Sequence, residues 1–145
     1  MSDEVDTVRA AFDAFARRDA EALTRLIHPD AELVTATPRR RVARLLRYEG
    51  HGGLQRLLEE VEGDWAFYRV TLLEARALAP GVVVAEGTVV VSGDAGGFGT
   101  PAGWIVTVAG GRITRVEPYL SREALQERLD AGYARDTPKD DRLST

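Results

Sequence analysis

Residues 104–129 read WIVTVAGGRITRVEPYLSREALQERL, and this stretch decides the fold. Alternating apolar and polar residues predict two strands, WIVTV and RITRVEPYL, and the Gly110-Gly111 pair between them predicts a tight turn. The segment SREALQERL follows at once and predicts a helix. An antiparallel pair of strands that leads directly into a helix is typical of a fold that mixes the two kinds of element.

Two helices are predicted near the amino terminus and a third in the middle of the chain. In the first, apolar residues recur at steps of three and four, at Val5, Val8, Ala11, Phe12 and Phe15. Asp19 is placed to cap a short second helix that Pro29 stops. After a turn over residues 50–53, the third helix is marked by Leu54, Leu57, Leu58 and Val61, and Gly63 ends it.

The other predicted elements are strands over residues 31–37, 65–78 and 82–92. Residues 93–99 are rich in glycine without the spacing of a nucleotide-binding loop, so we expect a hairpin connection there. The order α-α-β-α-β-β-β-β-α predicts an α+β fold. We expect a cone-shaped, curved antiparallel or mixed sheet that wraps around the three helices of the N-terminal half, with a C-terminal helix and a hollow inside the cone.

Composition narrows the class of protein. The 145 residues suit one domain, which we place at 1–133, and the polar residues 134–145 are expected to be a disordered tail. The absence of cysteine excludes disulfides and thiolate zinc sites, and we expect neither a metal nor a cofactor. The acidic start and the interrupted apolar run at residues 82–91 predict a soluble, cytoplasmic protein that does not enter a membrane.

One charged cluster stands out against the net charge of −4: Arg39, Arg40, Arg41, Arg44 and Arg47. Arginine side chains bind carboxylate or phosphate through two hydrogen bonds, so an anionic ligand or an acidic surface of a second subunit is one interpretation. A solvated loop after Pro38 is the other, and it is favoured. Nucleic acid is not expected as a partner, because the rest of the chain is acidic and Tyr48 is the single aromatic residue near the cluster.

Three segments resemble the nuclear transport factor 2-like superfamily, and within it the SnoaL-like branch of polyketide cyclases. They read VRAAFDAFARRDAEALTRLIHPDAELV, YEGHGGLQRLLEEV and WIVTVAGGRITRVEPYLSREAL. The resemblance covers about residues 5–130 and implies the cone-shaped fold. It is much less specific for function, because this scaffold carries isomerases, cyclases, dehydratases, epoxide hydrolases and binding proteins.

The residues that act in two relatives of this superfamily are not retained here. In ketosteroid isomerases the resemblance places a tyrosine, an aspartate base and an aspartic acid where this chain has Ala11, Thr35 and Trp104. In limonene epoxide hydrolases it places the water-activating aspartate at Pro118 and a water-holding asparagine at Thr35. None of these replacements can transfer protons in the same way, so neither mechanism is expected.

Strand periodicity predicts which side chains face the hollow. With Trp104 inward, Val106 and Val108 also point in, as do Thr114, Val116, Pro118 and Leu120 on the last strand. The predicted pocket lining is Phe12, Phe15, Leu33, Thr35, Tyr48, Leu57, Trp65, Trp104, Val106, Val116 and Pro118. Arg115, Glu117 and Tyr119 then lie on the convex face, where they suit the subunit interface of a homodimer.

Two residues are candidates for acid or base catalysis. His51 lies between glycines at the start of the third helix, where it serves either as a proton carrier at the mouth of the cone or as a solvated loop residue. Glu86 interrupts a valine-rich strand. If Ala85 and Gly87 face the hollow, Glu86 points outward and pairs across the dimer or with water, and this alternative is favoured. A shift of one residue instead makes it a buried carboxylate and an acid or base candidate.

Two functions from different classes remain open. The first is a hydrophobic pocket for a small apolar, cyclic or polyketide-like molecule, in a binder or in a cofactor-independent isomerase, cyclase or lyase. The second is a non-catalytic dimeric domain that binds a ligand or a protein, with Trp104, Phe12 and Phe15 filling the cavity. The missing acid and base residues favour the second, and the long apolar cone and His51 favour the first.

Overall fold

A computed structural model describes residues 3–37, 44–64, 67–93 and 96–131. Within these ranges the chain forms four helices and six strands. In chain order they are α1 (Asp3–Ala16), α2 (Ala20–Leu26), β1 (Ile27–Thr37), β2 (Arg44–Glu49), α3 (Gly50–Asp64), β3 (Phe67–Ala79), β4 (Val82–Gly93), β5 (Gly96–Ala109), β6 (Arg112–Tyr119) and α4 (Arg122–Asp130). The tail that we expect at 134–145 lies outside the described residues.

The strands form one mixed, unclosed sheet in the order β2-β1-β6-β5-β4-β3. All neighbours are antiparallel except β1 and β6, which run parallel. The α+β class and the mixed sheet with three N-terminal-half helices and a C-terminal helix are therefore confirmed. The predicted order of elements along the chain lacked one strand, β2, which follows the arginine-rich segment and pairs with β1.

Two faces of this sheet are distinguished by what packs on them. The inner face carries Leu33, Ala85, Trp104 and Val106 and contributes to the main core with α1, α2 and α3. The outer face carries Val84 and Ile105, which are completely buried by packing in a second cluster around Leu125 of α4. Helices thus cover the sheet on both faces.

The turns and caps follow the local sequence. Gly110 and Gly111 both have positive φ, +61° and +79°, which is the geometry of a tight hairpin turn that glycine adopts at little steric cost. Asp19 caps α2 by accepting a hydrogen bond from the Ala22 amide, and Ser121 caps α4 through the Ala124 amide. The predicted glycine turn and the predicted Asp19 cap are both confirmed.

Bulges bend the strands around the helices. The strand β3 has two extra residues relative to β4: Leu73, opposite Gly87 and Glu86, and Leu78, opposite Val83 and Val82. A Cβ atom added at Gly87 would lie 1.9 Å from the Thr71 carbonyl oxygen, so the close approach of β3 and β4 requires glycine here. In the described part of the chain, no helix is both long and apolar enough to cross a membrane.

Candidate functional site

A cavity of about 120 Å³ lies between the three helices α1, α2 and α3 and the inner face of the sheet. Nine of the eleven side chains predicted to line a pocket lie on it: Phe12, Phe15, Leu33, Thr35, Leu57, Trp104, Val106, Val116 and Pro118. Trp65, another predicted lining residue, falls outside the described residues. The structure therefore brings most of the predicted set together around one space.

Trp104 and Phe12 form one wall of the cavity. Their rings meet edge to face, with centroids 4.9 Å apart and planes at 72°. This geometry brings the positive edge of one ring to the negative face of the other. It holds the Trp104 indole, which is only 8% exposed, against Phe12. The two rings occupy part of the hollow and leave the remaining space open, so the cavity is narrowed rather than filled.

The cavity wall is almost entirely hydrocarbon. Among the described residues that line it, Thr35 is the one with a hydroxyl group, and none carries a carboxylate, imidazole, guanidinium or ammonium group. The described residues also contain no cluster of three or more histidine and acidic side chains that could hold a metal ion. A wall of this kind can exclude water and select by shape, but it holds no titratable side chain that transfers protons.

Tyr48 was predicted to line the pocket, and the structure places it elsewhere. It is buried on β2, and its hydroxyl donates a hydrogen bond of 2.6 Å to Glu60 Oε1 on α3. The Arg56 guanidinium lies 5.0 Å from the centre of its ring. A buried phenol needs a partner for its hydroxyl, and α3 supplies one, so the side chain lies beneath α3 instead of on the cavity wall.

A bulge at the start of β6 changes which side chains face the cavity. Thr107 pairs with Arg115, but its neighbour Val108 pairs with Ile113, so Thr114 is an extra residue. Ile113 lines the cavity, whereas the Thr114 hydroxyl donates to the Thr107 carbonyl over 3.3 Å. The prediction that Thr114 points inward was therefore wrong, because strict alternation does not hold across a bulge.

The other lining residues that sequence reasoning left out lie beside residues that it included. They are Ala11, Leu23, Ile27, Val34, Leu54, Val70 and Val89. Leu120, which strand periodicity predicts to point inward, lines the cavity as well. Leu54 lies one helical turn before Leu57, so the helical period could have identified it, whereas Val70 and Val89 depend on how β3 and β4 pair.

His51 does not line the apolar cavity. It lies in an outer groove between α2 and α3, together with Arg18, Thr24 and Gln55. Its Nε2 atom donates a hydrogen bond to the carbonyl oxygen of Ile27 over 2.8 Å. This bond connects His51, the second residue of α3, to Ile27, the first residue of β1. The contact is structural, and His51 does not touch the cavity.

Glu86 lies on the outer face, which is the outward alternative of the two considered. Its Oε2 atom accepts a hydrogen bond from Arg76 Nη1 over 2.9 Å, while its neighbour Ala85 is buried in the main core on the inner face. Alternation of side chains along β4 therefore separates this carboxylate from the cavity by the thickness of the sheet.

The arginine cluster is only partly described. Arg39, Arg40 and Arg41 fall outside the described residues, and for Arg44 the structure gives the backbone in β2. Arg47 is exposed on the outer face and forms an ion pair with Glu32 of β1.

The same glutamate connects Arg47 to a second ion pair on the outer face. Arg115 lies 3.7 Å from Glu32 and 2.8 Å from Glu117 Oε2, which links four charged side chains across β2, β1 and β6. The second carboxylate oxygen of Glu117 is buried and has no hydrogen-bond partner among the residues that the structure describes. The homodimer expected through this face stays a prediction.

An unclosed six-stranded mixed sheet with three helices on its inner face and a fourth on its outer face defines the nuclear transport factor 2-like class of α+β proteins. Residues 8–116 match the sequence model of the SnoaL-like domain. The chain therefore belongs to the SnoaL-like domain family. No curated protein sequence matches the chain.

Solved structures share the fold at low sequence identity. TerC, crystallised with polyporic acid, is 24% identical with a TM-score of 0.68 over 89% of this chain and 99% of its own. Bal32a, from a soil-derived mobile gene cassette, is 19% identical with a TM-score of 0.69 over 81% and 88%. A protein assigned as a polyketide cyclase from Sinorhizobium meliloti is 21% identical with a TM-score of 0.61 over 79% and 94%.

Proposed function

We propose that this SnoaL-like domain binds a small, uncharged, apolar ring compound in the cavity on its inner face. The observation that carries the proposal is a space of about 120 Å³ that is lined by hydrocarbon and left unfilled. Protein interiors are close-packed, so an apolar space of this volume without protein atoms lacks packing contacts that a filled core would make. Retention of such a space is most simply explained by an occupant.

The volume indicates the size of that occupant. An apolar protein cavity of about 150 Å³ holds one benzene molecule, whereas pockets for drug-sized ligands range from about 300 to 1,000 Å³. A cavity of about 120 Å³ therefore suits a single ring, or one ring of a longer molecule. The fold is shared with TerC, which was crystallised with polyporic acid, and with the protein assigned as a polyketide cyclase, so proteins of this fold are associated with small organic molecules.

The wall chemistry favours binding over catalysis. A cofactor-independent isomerase, cyclase or lyase needs a group that takes or gives a proton within hydrogen-bond reach of the substrate. The described lining residues include no titratable side chain, while His51 and Glu86 lie outside the cavity. We therefore assign the cavity the role of excluding water and selecting ligand shape.

Calorimetric titration of the full chain with toluene tests this function. We expect binding to the wild type and at least tenfold weaker binding to Val116→Phe, because the larger side chain occupies the cavity that Val116 lines. Val90→Phe makes the same change at a position that is 36% exposed, and it should bind toluene as the wild type does.

Native mass spectrometry of freshly purified protein adds a direct search for a retained ligand. Circular dichroism must first show that both variants are folded. A wild type that does not bind toluene or any other single-ring compound would overturn the proposed function, and so would a Val116→Phe variant that binds as tightly as the wild type.

A further inference from the structure

Thr35 places one hydroxyl group on an otherwise apolar wall. It lies on the inner face of β1, two residues after Leu33, and its partner on β2 is Leu46. No described residue forms a hydrogen bond with the Thr35 hydroxyl. Its oxygen also does not belong to the fully buried, unpaired polar atoms of the described residues, so part of its surface is exposed. The hydroxyl is therefore accessible to a bound molecule or to water.

The elements around the cavity present no charge to that molecule. Side chains from α1, α2 and α3 and from β1, β3, β4, β5 and β6 line it, and in the described part of the chain all of them are uncharged. An ionised ligand would lose its hydration here without gaining a partner of opposite charge, which is strongly unfavourable. A neutral ligand with one polar group loses much less if that group meets a hydrogen-bonding partner.

A threonine hydroxyl both donates and accepts hydrogen bonds, so it can pair with another hydroxyl in either direction. We infer that Thr35 recognises a single hydroxyl group on the bound ring, and that the ligand class is a neutral, single-ring hydroxyarene, of which phenol is the simplest member. This inference rests on the proposed binding function and adds to it the polar contact and the charge state of the ligand.

Paired titrations with phenol and toluene test the polar contact. Thr35→Val removes the hydroxyl and keeps nearly the same shape, so we expect it to weaken phenol binding roughly 2- to 12-fold and to leave toluene binding unchanged. Thr88→Val makes the same substitution on β4, outside the set of lining residues, and should change neither affinity.

The charge state is tested with 4-nitrophenol, whose ionisation is visible in its absorbance. If the cavity takes the neutral form, the pKa of bound 4-nitrophenol rises by at least about one pH unit, which corresponds to a tenfold preference for the neutral form. Benzoate, which is ionised at neutral pH, should bind at least tenfold more weakly than phenol.

The outcomes separate this inference from the proposed function. Suppose that the wild type binds toluene. If Thr35→Val then weakens phenol and toluene binding equally, or weakens neither, the inference is overturned and the proposed function still stands. Benzoate binding as tight as phenol binding, or an unchanged pKa of bound 4-nitrophenol, would also overturn it. Failure of both toluene and phenol to bind would overturn both.

Discussion

Replacing Trp104 with alanine should weaken the fold and widen the cavity at the same time. Trp104 is only 8% exposed, lines the cavity and packs edge to face on Phe12. Removal of a buried tryptophan side chain costs about 3–5 kcal/mol, and the contact between the two rings accounts for about 0.5–1.5 kcal/mol of that loss. Small domains have about 5–15 kcal/mol of stability, so the variant should still fold in buffer.

Urea unfolding followed by far-ultraviolet circular dichroism measures the first effect. Trp104→Phe is the matched control, because it keeps a ring against Phe12 and should lose clearly less stability than Trp104→Ala. Titration with naphthalene measures the second effect, since the space left by the indole should admit a second fused ring that the wild type excludes.

Two results would contradict this explanation of the wall. A loss of less than about 1 kcal/mol in Trp104→Ala would mean that the indole is not part of a close-packed core. Equal naphthalene affinities in the wild type and in Trp104→Ala would mean that the Trp104 ring does not limit the size of the cavity.

Three further perturbations test the local contacts. Gly87→Ala should prevent folding or destabilise it severely, because the new Cβ would lie 1.9 Å from the Thr71 carbonyl oxygen; near-normal urea unfolding would contradict this. The Ala22 amide, and then Arg17, hold the pKa of Asp19 below its ordinary value, so the stabilisation from this cap is present above the unfolded-state pKa and is lost as pH falls through the lower folded-state pKa. Unfolding midpoints between about pH 6 and pH 2 should therefore fall more steeply in the wild type than in Asp19→Asn, and equal slopes would argue against the cap. His51→Ala should lower stability by about 1–3 kcal/mol by removing the donor to Ile27, without changing toluene affinity; a selective loss of binding would instead give His51 a role at the site.

The helices and most strands could be predicted because their apolar periods agree with the way they pack. Phe12 and Phe15 lie three residues apart on the face of α1 that meets the cavity, as a helical period requires. Trp104 and Val106 share the inner face of β5, as a strand requires. Their positions follow from local geometry, which a single sequence contains.

The strand β2 was missed because its arginines obscured a short alternation. Leu46 and Tyr48 pack on the main core and Arg47 points to the outer face, but six residues carry little pattern. What stabilises β2 is its pairing with β1, for example between Leu33 and Tyr48. Such pairing depends on residues outside the segment, so local propensity could not show it.

The start of α3 differs from its prediction for a similar reason. Residues 50–53 contain three glycines, which disfavour a helix and indicate a turn, yet α3 begins at Gly50. A Cβ atom at Gly53 would lie 3.0–3.2 Å from the backbone and Cβ of Tyr48, so glycine allows α3 to pack closely on β2. Tertiary packing outweighs the helix propensity of these residues.

The candidate site was predictable as a set of faces and not as a volume. Alternation placed Thr35 and Pro118 inward correctly, but only the folded chain shows that Tyr48 turns to Glu60 and that a bulge brings Ile113 to the wall. The space that remains depends on how all these side chains pack together. A sequence pattern gives the direction of each side chain and not the volume that remains between them.

Methyl NMR of the full chain during titration with toluene locates the binding site in one measurement. We expect the largest shifts at the methyl groups of Leu57, Val106 and Val116, which line the cavity. Shifts confined to the groove beside His51 and Leu58, or no shifts at saturating toluene, would contradict a binding cavity on the inner face of the sheet.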